Sequence, residues 1–216
     1  MKRALIALCS LCVLCLFSTS TTLANVDDLE DVGPDLTPIT ARIISDVTIT
    51  ISTASGNIFL AATYHNNTVH SFTGAEDLVN APLYPVNVSG TRFMSTTEDI
   101  NSDMPITFEF SMPVGSFGLT TLDVLEDVDT STDAEVRLIG FNGSTIVDQH
   151  VHTGIQGESG LDLDWEVYHP GGITKAILIK TAGFISPGYG IDDLSLVELS
   201  VPVEPNTWSH VKTLYR

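Results

Sequence analysis

Apolar and polar side chains alternate strictly along several segments of the chain. Val47, Ile49 and Ile51 alternate with Thr48, Thr50 and Ser52. Ile106, Phe108 and Phe110 alternate with Thr107, Glu109 and Ser111. Leu161, Leu163, Trp165 and Val167 alternate with Asp162, Asp164, Glu166 and Tyr168. A period of two predicts strands with one face in a core and one in solvent. Val136, Leu138 and Gly140 alternate with Arg137, Ile139 and Phe141, which predicts a strand covered on both faces. Residues 57–63, 68–72, 91–95, 176–179 and 191–199 supply further strand candidates.

Turn chemistry separates these runs. Ser55-Gly56-Asn57, Asn142-Gly143, the stretch 154–160, His169-Pro170-Gly171-Gly172 and Ser186-Pro187-Gly188 combine residues that accept positive φ with prolines that pre-set a turn. No long stretch shows a helical period. Roughly ten short strands at this spacing predict an all-β, antiparallel β-sandwich. Residues 73–104, with Pro82, Pro85 and Gly90, are the least regular interior part. They are expected to hold one strand between two loops, and long loops often carry binding.

The ends differ from the middle. Lys2 and Arg3, then an apolar run from Ala4 to Phe17, then Thr22-Leu23-Ala24, have the order of a secretory signal peptide over residues 1–24. The apolar run is too short for a membrane span, and no later segment approaches one. Cys9, Cys12 and Cys15 all lie inside this leader, each preceded by leucine rather than the small residue that lipid attachment requires. The mature chain therefore has no cysteine and no disulfide. Residues 25–38 read as an acidic flexible lead-in, 39–200 as one domain, and 201–216 as a linker and tail. In that tail Trp208, Val211, Leu214 and Tyr215 share one face of a short helix. Folding back onto the sandwich is favoured over a docking role.

Charge narrows the partners. The 216 residues include 9 basic and 27 acidic side chains, a formal net charge of −18. Loss of Lys2 and Arg3 with the leader leaves seven basic against 27 acidic side chains, a net of −20. Such a chain repels nucleic acid and anionic lipid. It suits divalent cations or basic partners, and a secreted setting: extracellular, cell-surface or periplasmic.

Three blocks carry a resemblance to a known group. Gly188-Tyr189-Gly190-Ile191-Asp192-Asp193-Leu194-Ser195-Leu196 is similar to the closing strand of secreted bacterial jelly-roll domains. These are the galactose-binding-like sandwiches found in carbohydrate-binding modules and anchored exported proteins. Pro105-Ile106-Thr107-Phe108-Glu109-Phe110-Ser111-Met112-Pro113-Val114, followed by Phe117-Gly118-Leu119, resembles their interior strand pair. Residues 127–143 resemble their acidic loop and following strand. The resemblance implies a jelly-roll fold, a non-catalytic role and a glycan or extracellular polymer as ligand. A structural or adhesive protein that binds other surface proteins is the alternative, and a glycan-active enzyme ranks last.

Candidate site residues follow. Asp192 and Asp193 sit in a strand whose two faces are both apolar, so a carboxylate is expected to be buried and to need a partner. The resemblance makes that partner a structural calcium on Asp192; backbone amides are the other solution. By alternation Asp192 is expected to share a face with Leu194 and Leu196. Asp127 and Asp129 belong to an acidic loop that lacks the glycine and terminal glutamate of an EF-hand, and rank behind Asp192 as calcium ligands. Trp165 alternates into the core, so Tyr64, Tyr84, Tyr168 and Tyr189 are the candidate glycan platform. Asp162, Asp164 and Glu166 form an acidic stripe expected to be solvated. His150 and His152 share a strand face, with no third ligand in sequence. No nucleophile motif or phosphate-binding loop is present.

Overall fold

The computed structural model describes residues 24–33, 37–56, 58–65, 68–69, 90, 92–95, 104–122, 134–154, 162–182 and 190–199. The proposed leader up to Leu23, its cysteines, Asp127, Asp129, Tyr84, Tyr189 and the C-terminal tail lie outside them. The described residues form strands and turns, with no helix long and apolar enough to cross a membrane. The expected antiparallel β-sandwich is the fold.

Twelve strands are described. They are β1 (Asn25–Asp27), β2 (Pro38–Ile39), β3 (Ala41–Ile44), β4 (Val47–Thr53), β5 (Phe59–His65) and β6 (Thr68–Val69). Then come β7 (Arg92–Ser95), β8 (Ile106–Leu122), β9 (Ala134–Asn142), β10 (Thr145–Gly154), β11 (Asp162–Ala182) and β12 (Gly190–Glu198). The main order is β10-β9-β11-β8-β12-β7-β5-β2, with β4 also on β8, β3 on β4 and β1 on β12.

Two long strands serve both layers. The first part of β8 pairs with β4 and with the second part of β11, from Lys175 to Leu178. The second part of β8 pairs with β12 and with residues Asp162–Tyr168 of β11. Between these parts the register slips, from Tyr168 opposite Ser116 to Ile173 opposite Val114 and then Lys175 opposite Glu109. The sequence predicted a turn at His169-Pro170-Gly171-Gly172. The structure instead carries one strand through it as a bend. Proline and glycine are tolerated in a strand where the ladder is already broken, and a bulge sharpens the twist that turns a corner. Gly172 has φ +89°, and a Cβ there would stand 2.8 Å from Pro113 Cβ, so the corners of the two strands pack on each other.

The two inner faces meet in one core. Ile49, Ile106, Phe108, Leu138 and Leu178 come from one layer, and Phe117, Leu119, Trp165, Val167, Leu194 and Leu196 from the other. The ring of Phe117 lies 5.1 Å from Phe108 and 5.0 Å from Phe110, tilted in both cases. Trp165 is 2% exposed, and its indole N–H donates to Thr121 Oγ1 at 2.8 Å. A buried indole needs such an acceptor.

Residues 25–33 depart from the flexible lead-in expected of them. Asn25–Asp27 pair with Leu194–Leu196 of β12, and Leu29 and Val32 are buried in the core. Arg42 on β3 fastens this segment. Its guanidinium donates to both carboxylate oxygens of Asp27, at 2.6 and 2.8 Å, and also pairs with Asp31. The Asp27 hydrogen bond raises the Arg42 pKa above its ordinary value, against the opposing effect of burial. Short acidic sequence hid a strand whose stability comes from tertiary pairing rather than from its own pattern.

Trp165 fills the centre of the sandwich, so Trp165→Ala is expected to lower stability by about 3–5 kcal/mol. Equilibrium urea unfolding of the two proteins reads this directly. A variant as stable as the wild type would take Trp165 out of the core.

Candidate functional site

Directly paired residues of antiparallel strands project to the same side. The registers of β11, β8 and β12 therefore place side chains in rows across the outer face of the second layer. One row is Asp164, Thr120 and Asp192. The next is Glu166, Gly118 and Ser195, extended by Val26 of β1. A third is Tyr168, Ser116 and Val197.

The central strand contributes small residues to every row. Ser116, Gly118 and Thr120 form a buried floor beneath these rows, of which Thr120 reaches the cleft. A Cβ at Gly118 would lie 2.7 Å from Ser195 Oγ and 2.7 Å from the Trp165 carbonyl oxygen, so no larger residue fits there unmoved. The result is a cleft of about 430 Å³. Ala24, Val26, Leu119, Thr120, His150, Asp164, Trp165, Glu166, Asp193 and Ser195 line it. Tyr168, 59% exposed, continues the β11 wall beyond Glu166.

The wall on β11 is held from its far edge. Strand β9 pairs only with the second part of β11, from Lys175 to Ala182, which leaves the Asp162–Tyr168 part without a ladder there. Side chains of β10 take its place. His150 Nδ1 accepts from the Glu166 amide at 3.2 Å, and Asp148 Oδ2 accepts from the Tyr168 amide at 2.7 Å. The His150 ring also rests against Trp165, with centroids 5.4 Å apart, and His152 sits 6.4 Å from the same ring. The two histidines do share a face, as their spacing predicted, and that face meets Trp165.

The acidic stripe has a structural role that alternation alone did not show. Thr120 Oγ1 donates to Asp164 Oδ1 at 2.8 Å, tying the wall to the floor. Glu166 stays exposed beside it.

Asp192 and Asp193 are arranged differently from the expectation. Asp192 pairs with Thr120, while Ser195 pairs with Gly118, so β12 carries one extra residue between them. Asp193 adopts φ +46° at this bulge. Aspartate enters the left-handed region more readily than most side chains. The bulge reverses the alternation. Ile191, Leu194 and Leu196 all reach the core, and Asp192 falls on the opposite face from them. It does not share the face of Leu194 and Leu196 as strict alternation required. Asp192 is nonetheless fully buried, as expected, and its Oδ1 accepts the Asp193 amide at 2.8 Å.

Among the described residues, no three His, Cys, Asp or Glu side chains are grouped to hold a metal ion. Asp127 and Asp129, the other calcium candidates, fall outside them. Of the four candidate tyrosines, Tyr168 stands beside the cleft, and Tyr64 lies on β5 opposite Val69. Sequence reasoning missed the floor. Its signal was the alternation of Ser116, Gly118 and Thr120 with Phe117, Leu119 and Thr121 in one strand.

No family model matches the chain, and no curated protein does. Over 76% of its length it is similar to a crystallographic structure from Clostridium thermocellum. That structure holds the CBM22-1 and GH10 modules of N-terminal endo-1,4-β-D-xylanase 10B complexed with xylohexaose; identity is 12% and the TM-score 0.31. The present chain spans 28% of that chain.

Gly118→Ala is expected to destabilise the protein by roughly 1–3 kcal/mol, the usual cost of forcing a methyl group into a packed contact. Thermal melting checks it. An unchanged transition would mean that the floor has room to spare.

Proposed function

We propose that the cleft is the ligand-binding surface of a secreted, non-catalytic module that binds a glycan or similar extracellular polymer. The observation that carries this reading is a cleft lined by Thr120, Ser195, Asp164, Glu166 and Asp193, with the exposed Tyr168 two residues beyond Glu166 on the same face of β11. A sugar presents hydroxyl groups at its edges and C–H groups on its faces. The carboxylates and hydroxyls of the cleft match the first, and an exposed tyrosine ring matches the second.

The same geometry favours binding over hydrolysis. Glycosidic cleavage uses two carboxyl groups flanking the bond, about 5–9.5 Å apart. Asp164 and Glu166 are two residues apart on one strand and stand on the same wall. Of the two aspartates on β12, Asp192 is fully buried and out of a substrate's reach, and Asp193, which lines the cleft, has one carboxylate oxygen shielded from solvent.

Calcium belongs to this proposal as a stabiliser of the fold, with Asp192 as its carboxylate. The support is the burial of a full carboxylate in a domain whose mature chain has no disulfide. An ion present at a hundredfold excess over its Kd would add about 2.7 kcal/mol. Melting the metal-free protein with calcium and with chelator decides it. A rise that Asp192→Asn removes supports the ion, and identical curves leave Asp192 satisfied by the protein's own groups, the Asp193 amide among them.

Tyr168→Ala is expected to weaken glycan binding up to about tenfold, the scale of one lost aromatic contact, with the melting temperature unchanged. A glycan array followed by calorimetry on the best hit tests this. Equal affinity in wild type and variant moves the site elsewhere. A blank array with capture of a purified surface protein through the same cleft would make the module a protein adhesin.

A further inference from the structure

Asn142-Gly143 is the one Asn-Gly pair in the sequence, and it forms the tip of the β9–β10 hairpin, exposed to solvent. Asparagine followed by glycine is the pair most open to spontaneous deamidation, because glycine puts no side chain in the way of the reacting amide. In that reaction the Gly143 amide gives up its proton to base. Its nitrogen then bonds to Asn142 Cγ, the Cγ–Nδ2 bond breaks and ammonia leaves. Water opens the resulting cyclic imide to aspartate or isoaspartate.

Both partners in this reaction are engaged by β11. The Gly143 N–H donates to Thr174 Oγ1 at 2.9 Å. The Asn142 Nδ2 donates to the Gly171 carbonyl oxygen at 3.0 Å. The Thr174 hydroxyl in turn donates to the Phe141 carbonyl oxygen at 3.2 Å, so its one proton and an acceptor lone pair are both in use. Gly143 has φ +60°, which fixes its amide in the turn.

We propose that Asn142 is a latent deamidation site, and that Thr174 and the Gly171 carbonyl hold it in an unreactive state in the folded protein. For the nitrogen to attack, its proton must leave the Thr174 hydroxyl and the carboxamide must leave Gly171. Each release gives up a hydrogen bond that closes the joint between the hairpin and the corner of β11. The product also changes that joint. An aspartate carboxylate at position 142 has no donor for the Gly171 carbonyl and sets two acceptors face to face. The isoaspartate form adds a backbone carbon inside the turn. Once the site has reacted, the hairpin cannot close on the corner as before.

The test uses the full chain, wild type, Thr174→Val and Thr174→Ser. Each is aged in mildly alkaline buffer below its melting transition, and the deamidated fraction at Asn142 is followed by peptide mapping and mass spectrometry. The wild type and Thr174→Ser, which keeps the hydroxyl, are expected to react slowly. Thr174→Val is expected to react up to about tenfold faster, the factor that one lost hydrogen bond supplies. The same peptide aged in denaturant is expected to be faster than any folded form. A folded Thr174→Val protein reacting at the wild-type rate would overturn the role of Thr174. A wild-type chain reacting as fast folded as unfolded would overturn the protection altogether, and that comparison stands even if Thr174→Val fails to fold.

Discussion

The sandwich depends on a corner. Strands β8 and β11 each run through both layers, and they bend together where Pro113 meets Gly172. On one side of the bend β8 pairs with β4 and β11 with β9, over one half of the core; on the other side β8 pairs with β12 over the other half. Gly172 has a positive φ and no room for a Cβ at that contact. A bulky residue there would push apart two strands that belong to both layers, so its effect would reach the whole core.

The cleft is a product of the same arrangement. Because β9 leaves β11 at the corner, the Asp162–Tyr168 part of β11 has no second strand among the described residues, and Asp148 and His150 reach across to the Tyr168 and Glu166 amides. An open strand edge invites pairing with another chain, and side chains that occupy its donors are one way to close it. The wall that carries Asp164, Glu166 and Tyr168 is thereby held firm although, among the described residues, no strand pairs with that edge. On the floor, small residues face out from the same strand whose large residues, Phe117 and Leu119, face in.

Much of this was legible in the sequence because one physical rule, alternation over a single core, governs the strands that dominate it. Val47, Ile49, Ile51, Ile106, Phe108, Trp165 and Val167 are buried as their period required. The rule failed where local geometry interrupts it. At Asp193 one extra residue flips the face of Asp192, and an aspartate in a bulge looks in sequence like an aspartate in a strand. At Pro170-Gly171-Gly172 the residues that end a strand are the residues that bend one, and only the partner strand decides between them. Asn25–Asp27 could not be read as a strand at all, since its pairing with β12 and its clasp by Arg42 are both contacts with distant sequence. The cleft needed three strands in register before its rows of side chains existed. Its parts were visible singly, as an acidic stripe and an exposed tyrosine, but their adjacency was not.

The pairing of β1 with β12 has a consequence for the order of events in making this protein. The two strands are separated by almost the whole described chain, so Asn25–Asp27 must wait for Leu194–Leu196 before its hydrogen bonds can form. During synthesis, the earliest of the described strands to appear is among the last to find its place. Until then Leu29 and Val32 have lost their cover, and the outer edge of β12 does not yet exist to receive them. Contacts this distant in sequence slow folding, since the chain entropy between them is given up before any bond is gained. The cleft wall that Val26 supplies is therefore among the last parts of the molecule to be assembled, and a ligand meets a finished surface only once the two ends of the fold have come together.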